Sequence, residues 1–206
     1  MRQDLAQRIE AGCAVVTPNR RLAAHLKREF DLAQAASGRT AWPSADCLPL
    51  GAFLERTYDE LTRGAAGAAL LSPQQEAVLW ERAVAGSPQG AALLNPEAAA
   101  RAAREAWQIQ CAHRIELDRY RSTLDEDGRA YLGWSEQYRK FLRAGNWLDT
   151  VRVPDAVIVA QQAGAAPAPR ALVLYGFDLI APQHRAVFDA LAENGWQVSE
   201  VAAQPR

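Results

Sequence analysis

Two short apolar runs stand near opposite ends of the chain, each closed by a turn residue and followed by a helical pattern. Cys13-Ala14-Val15-Val16 stops at Thr17-Pro18, and Ala171-Leu172-Val173-Leu174-Tyr175 stops at Gly176. Runs this short that are apolar throughout, without alternation, suit strands buried on both faces, as in a parallel sheet. Behind the first run, from Asn19 onward, Leu22, Leu26, Phe30 and Ala33 recur at i, i+4, i+8 and i+11, until Ser37-Gly38 ends the helix. Behind the second, Pro182 opens a helix to Asn194, Gly195 stops it, and Trp196 to Val201 offers a further strand. Residues 2–11 predict a short helix ahead of the first strand. Trp42-Pro43 and Leu48-Pro49 mark an extended stretch with a short strand near Asp46-Cys47-Leu48. Ala52 to Arg63 predicts a helix with Phe53, Leu54, Tyr58 and Leu61 facing inward.

The middle of the chain reads differently. Gly64 to Ala69 is a linker of small residues, and residues 70–150 predict helices throughout. Ser72-Pro73-Gln74-Gln75 is a helix start with Ser at the N-cap, Pro at N1 and Gln at N3. Asn95-Pro96-Glu97 opens a longer helix toward Arg121, interrupted or kinked between Cys111 and Ile115. Asp125-Glu126-Asp127 precedes a third, in which Tyr131, Trp134, Tyr138 and Phe141 fall at i, i+3, i+7 and i+10 before Gly145. Trp80, Trp107 and Trp134 take inward positions, where packing is their default role. Pro154 to Gln162 predicts one more short helix, and Ala163 to Pro169 a second linker. The pattern α/β, helices, α/β predicts a parallel-sheet domain interrupted by an all-helical insertion. Residues 1–64 and 163–206 would form the two parts of the sheet domain, and 70–150 the insertion.

Composition removes several functions. The chain carries 23 basic and 24 acidic side chains, so any grip on nucleic acid has to be local and not a matter of bulk charge. Its 206 residues suffice for a core without disulfide or metal staples. Lys27 and Lys140 are the only lysines. His25-Leu26-Lys27-Arg28 and Tyr138-Arg139-Lys140-Phe141 both lack the Gly-Lys-Ser/Thr of a phosphate-binding loop. Nor does either lysine have the Glu two residues earlier that a Glu-x-Lys nuclease pair needs. Cys13, Cys47 and Cys111 are odd in number and set in apolar surroundings, which predicts buried free thiols in a reducing cytoplasm. No apolar stretch approaches the roughly 18 residues of a membrane span, so a soluble intracellular protein is expected. His25, His113 and His184 lack metal-ligand spacing. Asp125-Glu126-Asp127 reads as a partner for a helix dipole. Neither a metal nor another cofactor is expected.

Candidate chemistry therefore sits at the two strand ends. Thr17, Asn19, Arg20 and Arg21 lie where a strand's carboxyl end meets a helix N-terminus, a place where parallel sheets bind ligands. Those side chains can hold a phosphate of single-stranded nucleic acid; equally, Thr17 and Asn19 can serve as helix caps while the arginines are merely solvated. Tyr175-Gly176-Phe177-Asp178 occupies the place where nucleotide hydrolases keep an acidic pair for magnesium. Tyr175 and Gly176 offer no carboxylate, and a lone Asp178 beside a helix start is ordinarily a cap or a dipole partner.

Taken in order, these segments resemble a known family. Val15-Val16-Thr17-Pro18-Asn19-Arg20-Arg21-Leu22-Ala23 is similar to motif Ia of superfamily 1 helicases. Leu174-Tyr175-Gly176-Phe177-Asp178-Leu179-Ile180-Ala181-Pro182-Gln183 resembles their motif II region in the form found in AddB-type subunits of helicase–nuclease complexes. Leu71-Ser72-Pro73-Gln74-Gln75-Glu76 and Gly145-Asn146-Trp147-Leu148-Asp149 resemble segments of AddB/RecB-like probable DNA repair proteins that end in a PD-(D/E)XK nuclease domain. The resemblance covers nearly all of the chain but only the N-terminal part of such a protein. It implies a RecA-like (P-loop NTPase-like) domain with an all-helical insertion, in a fragment whose second helicase-like domain and nuclease lie downstream. The Walker A strand and loop should precede residue 13, where only a short helix fits, and the acidic pair of motif II falls on Tyr175 and Gly176. The implied function is a helicase-like domain that does not hydrolyse ATP and guides single-stranded DNA, through Thr17, Asn19, Arg20 and Arg21, toward the nuclease. Its implied partners are single-stranded DNA, those downstream domains and a helicase subunit. An interaction scaffold that never touches DNA is the other function open to such a domain.

Overall fold

A computed structural model of the chain describes residues 3–64, 67–164 and 170–202. Parts of both linkers (65–66 and 165–169) lie outside the described residues. The elements run α1 (Gln3–Glu10), β1 (Ala14–Thr17), α2 (Arg20–Ala36), β2 (Cys47–Pro49), α3 (Leu50–Thr62), β3 (Ala69–Leu70), α4 (Pro73–Ala85) and α5 (Pro88–Ala91). There follow α6 (Pro96–Ala112), α7 (Glu126–Ala144), β4 (Trp147–Leu148), α8 (Val153–Gln162), β5 (Ala171–Tyr175), α9 (Pro182–Glu193) and β6 (Gln197–Val201). The chain is an α/β protein that divides into two units: residues 1–63, 156–180 and 185–206 form one, and 64–155 with 181–184 the other. Among the described residues no helix is long and apolar enough to cross a membrane.

The first unit is organised by a four-stranded parallel sheet in the order β2-β1-β5-β6. Central β1 and β5 are buried on both faces, which explains their unbroken apolar runs. One face carries Val15, Cys47 and Val173 against Leu5 and Ile9 of α1 and Leu26 and Phe30 of α2. Because side chains alternate along a strand, Ala14, Val16, Leu172 and Leu174 point to the opposite face, and all four are buried. Fully burying a Val or Leu side chain contributes roughly 1.5–3 kcal/mol, so these two strands anchor the unit. Helix α3 buries Phe53, Leu54, Tyr58 and Leu61 as its spacing predicts, and Phe53 meets Trp196 edge-on with ring centroids 6.3 Å apart.

The inward stripe of α2 is shifted from the predicted one. Ala23, Leu26, Phe30 and Gln34 are buried, whereas Leu22 is half-buried and Ala33 exposed. A polar side chain tolerates that position because it is saturated. Gln34 Nε2 donates to Glu10 Oε1 at 2.5 Å, and Arg39 Nη1 donates to Gln34 Oε1 at 2.8 Å.

In the second unit, helices α4, α6 and α7 pack around stacked aromatics. Trp80 and Tyr138 lie nearly parallel with ring centroids 4.3 Å apart, and Trp107 meets both at 6.3 and 6.2 Å. Local capping follows the sequence closely. Ser72 and Gln75 form a reciprocal capping box, Asn95 caps α6, and Asp125 accepts from Gly128 N at the start of α7. The expected break after Cys111 is present: α6 stops at Ala112, Arg114 takes a positive φ of 53°, and a short 3-10 turn follows over Leu117–Tyr120. One correction applies. Residues 70–150 are not wholly helical, because β3 and β4 form a two-stranded parallel pair; runs of two residues are too short to leave a periodic signature. Trp134 packs against the core as expected, half-buried at its rim, and its indole N–H donates to Ser87 Oγ at 2.7 Å.

Candidate functional site

All four strands of the main sheet are parallel, so their carboxyl ends share one edge. From β1 the chain proceeds to β2 on one side; from β5 it proceeds to β6 on the other. The strand order therefore reverses between β1 and β5, and such a reversal opens a crevice beyond the strand ends. Val16 is level with Leu174, so the turns after Thr17 and after Tyr175 emerge side by side at that point. Both segments singled out in the sequence thus meet at the place where this type of sheet binds ligands.

The turn after β1 is only Pro18 and Asn19. Thr17 is fully buried, and its hydroxyl donates to the Asn19 carbonyl at 2.9 Å, with the Leu48 carbonyl 3.4 Å away. It closes the turn and presents no group outward. The Asn19 side-chain oxygen accepts from Leu22 N at 2.9 Å, an N-cap bond. Helix geometry leaves the N–H groups of Arg20 and Arg21 without an intrahelical acceptor. Both arginine side chains are exposed and form no ion pair or hydrogen bond among the described residues. Of the four candidate contact residues, two shape the turn and two carry free charge. A two-residue turn containing Pro also lacks the run of backbone N–H groups that a nucleotide-binding loop wraps around a triphosphate.

After β5, Gly176 takes φ 74°, and its N–H donates to the Val201 carbonyl at 3.0 Å, which continues the pairing with β6 by one residue. Tyr175 is half-buried against the α1–α2 core. Phe177 is half-buried, Asp178 is exposed, and Leu179 is 81% exposed. Asp178 is the sole carboxylate of this turn. Among the described residues no three His, Cys, Asp or Glu side chains gather where they could hold a metal ion. Helix α1 occupies the chain immediately before β1.

The cysteines lie apart from this edge in chemistry as well. Burial pushes the Cys47 thiol up to about 11 and that of Cys111 up to about 12, and raises that of Cys13. All three are free. Two buried carboxylates escaped the sequence reading, Glu76 and Asp149 of the helical unit. Glu76 Oε1 accepts from Thr150 N and Oγ1, and its Oε2 accepts from Arg104. Asp149 accepts from Trp107 Nε1 at 2.7 Å and Arg152 Nε at 2.6 Å. The available signal was Glu76 sharing a helical face with Leu79, Trp80 and Ala83. These networks hold the unit's core together.

In comparisons with protein-family models and with curated proteins, the chain matches none.

Proposed function

We propose that this chain is a helicase-like domain that binds single-stranded DNA without hydrolysing nucleotide. In that reading its sheet unit is RecA-like, and its helical unit is an insertion in that domain. The observation that carries the proposal is the exposed, unpaired Arg20–Arg21 couple at the order reversal of the parallel sheet. Two guanidiniums beside a helix N-terminus suit consecutive phosphates. The lone Asp178 and the two-residue turn after β1 favour binding over triphosphate chemistry. The resemblance to AddB/RecB-like repair proteins extends the proposal: the domain guides a strand toward a downstream PD-(D/E)XK nuclease, alongside a helicase partner.

Titration of a labelled oligothymidylate over a salt series tests this. Replacing Arg20 and Arg21 together by Ala should weaken binding and lower the slope of log K against log salt by about 1.4, since each phosphate contact with a single strand contributes about 0.7. Unchanged affinity and slope would remove the site. ATP with magnesium should leave the melting temperature unmoved; clear stabilisation would reopen nucleotide binding. One observation favours an interaction scaffold as a second reading. An apolar groove of about 460 Å³ runs along the helical unit between Ala99, Ala102, Ala106, Tyr131 and Trp134.

A further inference from the structure

The main sheet ends on β6, which is paired on one side only, with β5. The Gln197 N–H donates to the Arg170 carbonyl at 3.1 Å, and the Val201 carbonyl accepts from Gly176 N at 3.0 Å. In a parallel ladder the N–H and C=O of one residue point to the same side, and successive residues alternate. Gln197, Ser199 and Val201 therefore face β5, while Val198 and Glu200 turn both of their backbone groups outward. Those N–H and C=O groups have no partner among the described residues. The usual guards of an edge strand are missing. Gln197–Val201 contains neither Lys nor Pro, and its register with β5 runs through all five residues without a bulge. Its one charge, Glu200, is held by Arg185 of α9.

We infer that this edge pairs with the same edge of a second copy of the chain, antiparallel about a two-fold axis at Ser199, so that the two sheets become continuous. One register satisfies every outward group. With Ser199 opposite its counterpart, Val198 of each copy lies opposite Glu200 of the other, and each such pair exchanges two N–H···O=C bonds, four across the axis. Sliding by two residues sets Val198 against Val198, or Glu200 against Glu200, and keeps only two of the four. The side chains suit the same register. Ser199 meets its counterpart on the face toward α1, where Arg8 Nη1 donates to its hydroxyl at 2.9 Å. On the other face each Val198 meets a carboxylate already neutralised by Arg185, and the two carboxylates stand diagonally and not opposite. Pairing through one short strand buries less than a standard interface, so the association is weak and reversible. It goes beyond the proposed DNA binding and does not depend on it.

Sedimentation over a rising concentration series reads the association, at moderate salt so that the two Arg8 guanidiniums near the axis are screened. Glu200→Pro removes an outward N–H and none of the bonds to β5, a position where an edge strand accepts proline. Glu200→Gln keeps the N–H and removes the charge; melting curves establish that both variants fold. The parent chain and Glu200→Gln should dimerise alike, and Glu200→Pro should raise the dissociation constant by about tenfold or more, since two of the four bonds are lost. A chain that stays monomeric at every concentration overturns the inference and leaves the edge to a strand of a different protein. A dimer that Glu200→Pro leaves intact overturns it as well. The register has its own readout. Opposed residues at a non-hydrogen-bonded antiparallel position stand about 4.5 Å apart between Cα atoms, within reach of a disulfide. Oxidised Ser199→Cys should therefore yield a covalent dimer linked 199 to 199, identified by mass spectrometry of its peptides. Gln197→Cys, with its counterpart roughly 14 Å away, should not. Equal cross-linking of the two variants overturns the axis at Ser199.

Discussion

Replacing Glu76 by Gln probes how the helical unit is held together. The side chain is 1% exposed and accepts three hydrogen bonds, from Thr150 N at 2.7 Å, Thr150 Oγ1 at 2.8 Å and Arg104 Nη2 at 3.1 Å. These tie α4 to α6 and to the segment after β4. Glutamine keeps Oε1 for both Thr150 donors but turns an N–H toward the guanidinium, so one charge-assisted bond becomes a donor–donor contact. A bond to a charged group contributes about 1.5–3 kcal/mol. The Arg104 side chain is 24% exposed, and water screens part of that. A loss near the lower end is expected, about 1.5–2 kcal/mol, which is roughly 3–8 °C in Tm for a chain of this size. Glu76→Ala removes both acceptor oxygens and with them all three bonds, leaving the Thr150 N–H and hydroxyl and a guanidinium without this partner, so about 3–5 kcal/mol is expected. Urea melts read both values. In an Arg104→Met background, Glu76→Gln should cost under about 0.5 kcal/mol, because the donor it offends is gone. An equal cost of Glu76→Gln in the two backgrounds would refute the assignment of that cost to Arg104.

Three further outcomes are expected. At pH near 8 the Cys47 thiol, held near 11, is ionised in about one molecule in a thousand; iodoacetamide should therefore label the cysteines only after denaturation, and rapid native labelling read by mass spectrometry would contradict this. Burial lowers the pKa of His184 below its ordinary 6.5, against the opposing pull of Asp155. The unfolded chain then binds the extra proton first, so stability is complete above 6.5 and is lost as pH falls toward the folded value. Melting between pH 7 and about pH 5 should fall less for His184→Gln than for the parent chain, and parallel curves would exclude this histidine as the cause. A Cβ at Gly90 would lie 1.9 Å from the Val84 carbonyl oxygen. Gly90→Ala should therefore unfold the α5 turn or cost several kcal/mol, about 3 or more, and a Tm within a degree of the parent's would show that this turn yields freely.

How much was legible beforehand depended on how local the cause was. Helix caps were readable because a cap is settled within four residues: Ser72 with Gln75, Asn95 with Ala98 N, and Asp125 with Gly128 N all form as their spacing implies. Strands β1 and β5 were readable because burial on both faces removes polar residues from the run itself. The pairing of β3 with β4 was not, since Ala69 and Trp147 meet through tertiary folding across the whole helical unit. The inward face of α2 holds Leu26 and Phe30 as predicted, but its two ends fall on Ala23 and Gln34 and not on Leu22 and Ala33, for the same reason. Gln34 is satisfied by Glu10 and Arg39, and neither lies on that helix.

At the candidate site the sequence left two readings open, four side chains holding a phosphate or Thr17 and Asn19 capping the helix beside solvated arginines. The structure separates these side chains by what each has left to offer. The Thr17 hydroxyl and the Asn19 amide oxygen are already engaged by the backbone of their own turn, so a ligand could recruit them only by dismantling it. Breaking an N-cap costs about 1 kcal/mol, and exposing a buried hydroxyl adds to that, whereas a guanidinium already in water has little to give up. Binding at this edge should therefore run through Arg20 and Arg21, with two charges on flexible stems and no rigid backbone cradle. Such a grip would tolerate any phosphate backbone and weaken with salt only as two contacts allow, a slope of about 1.4.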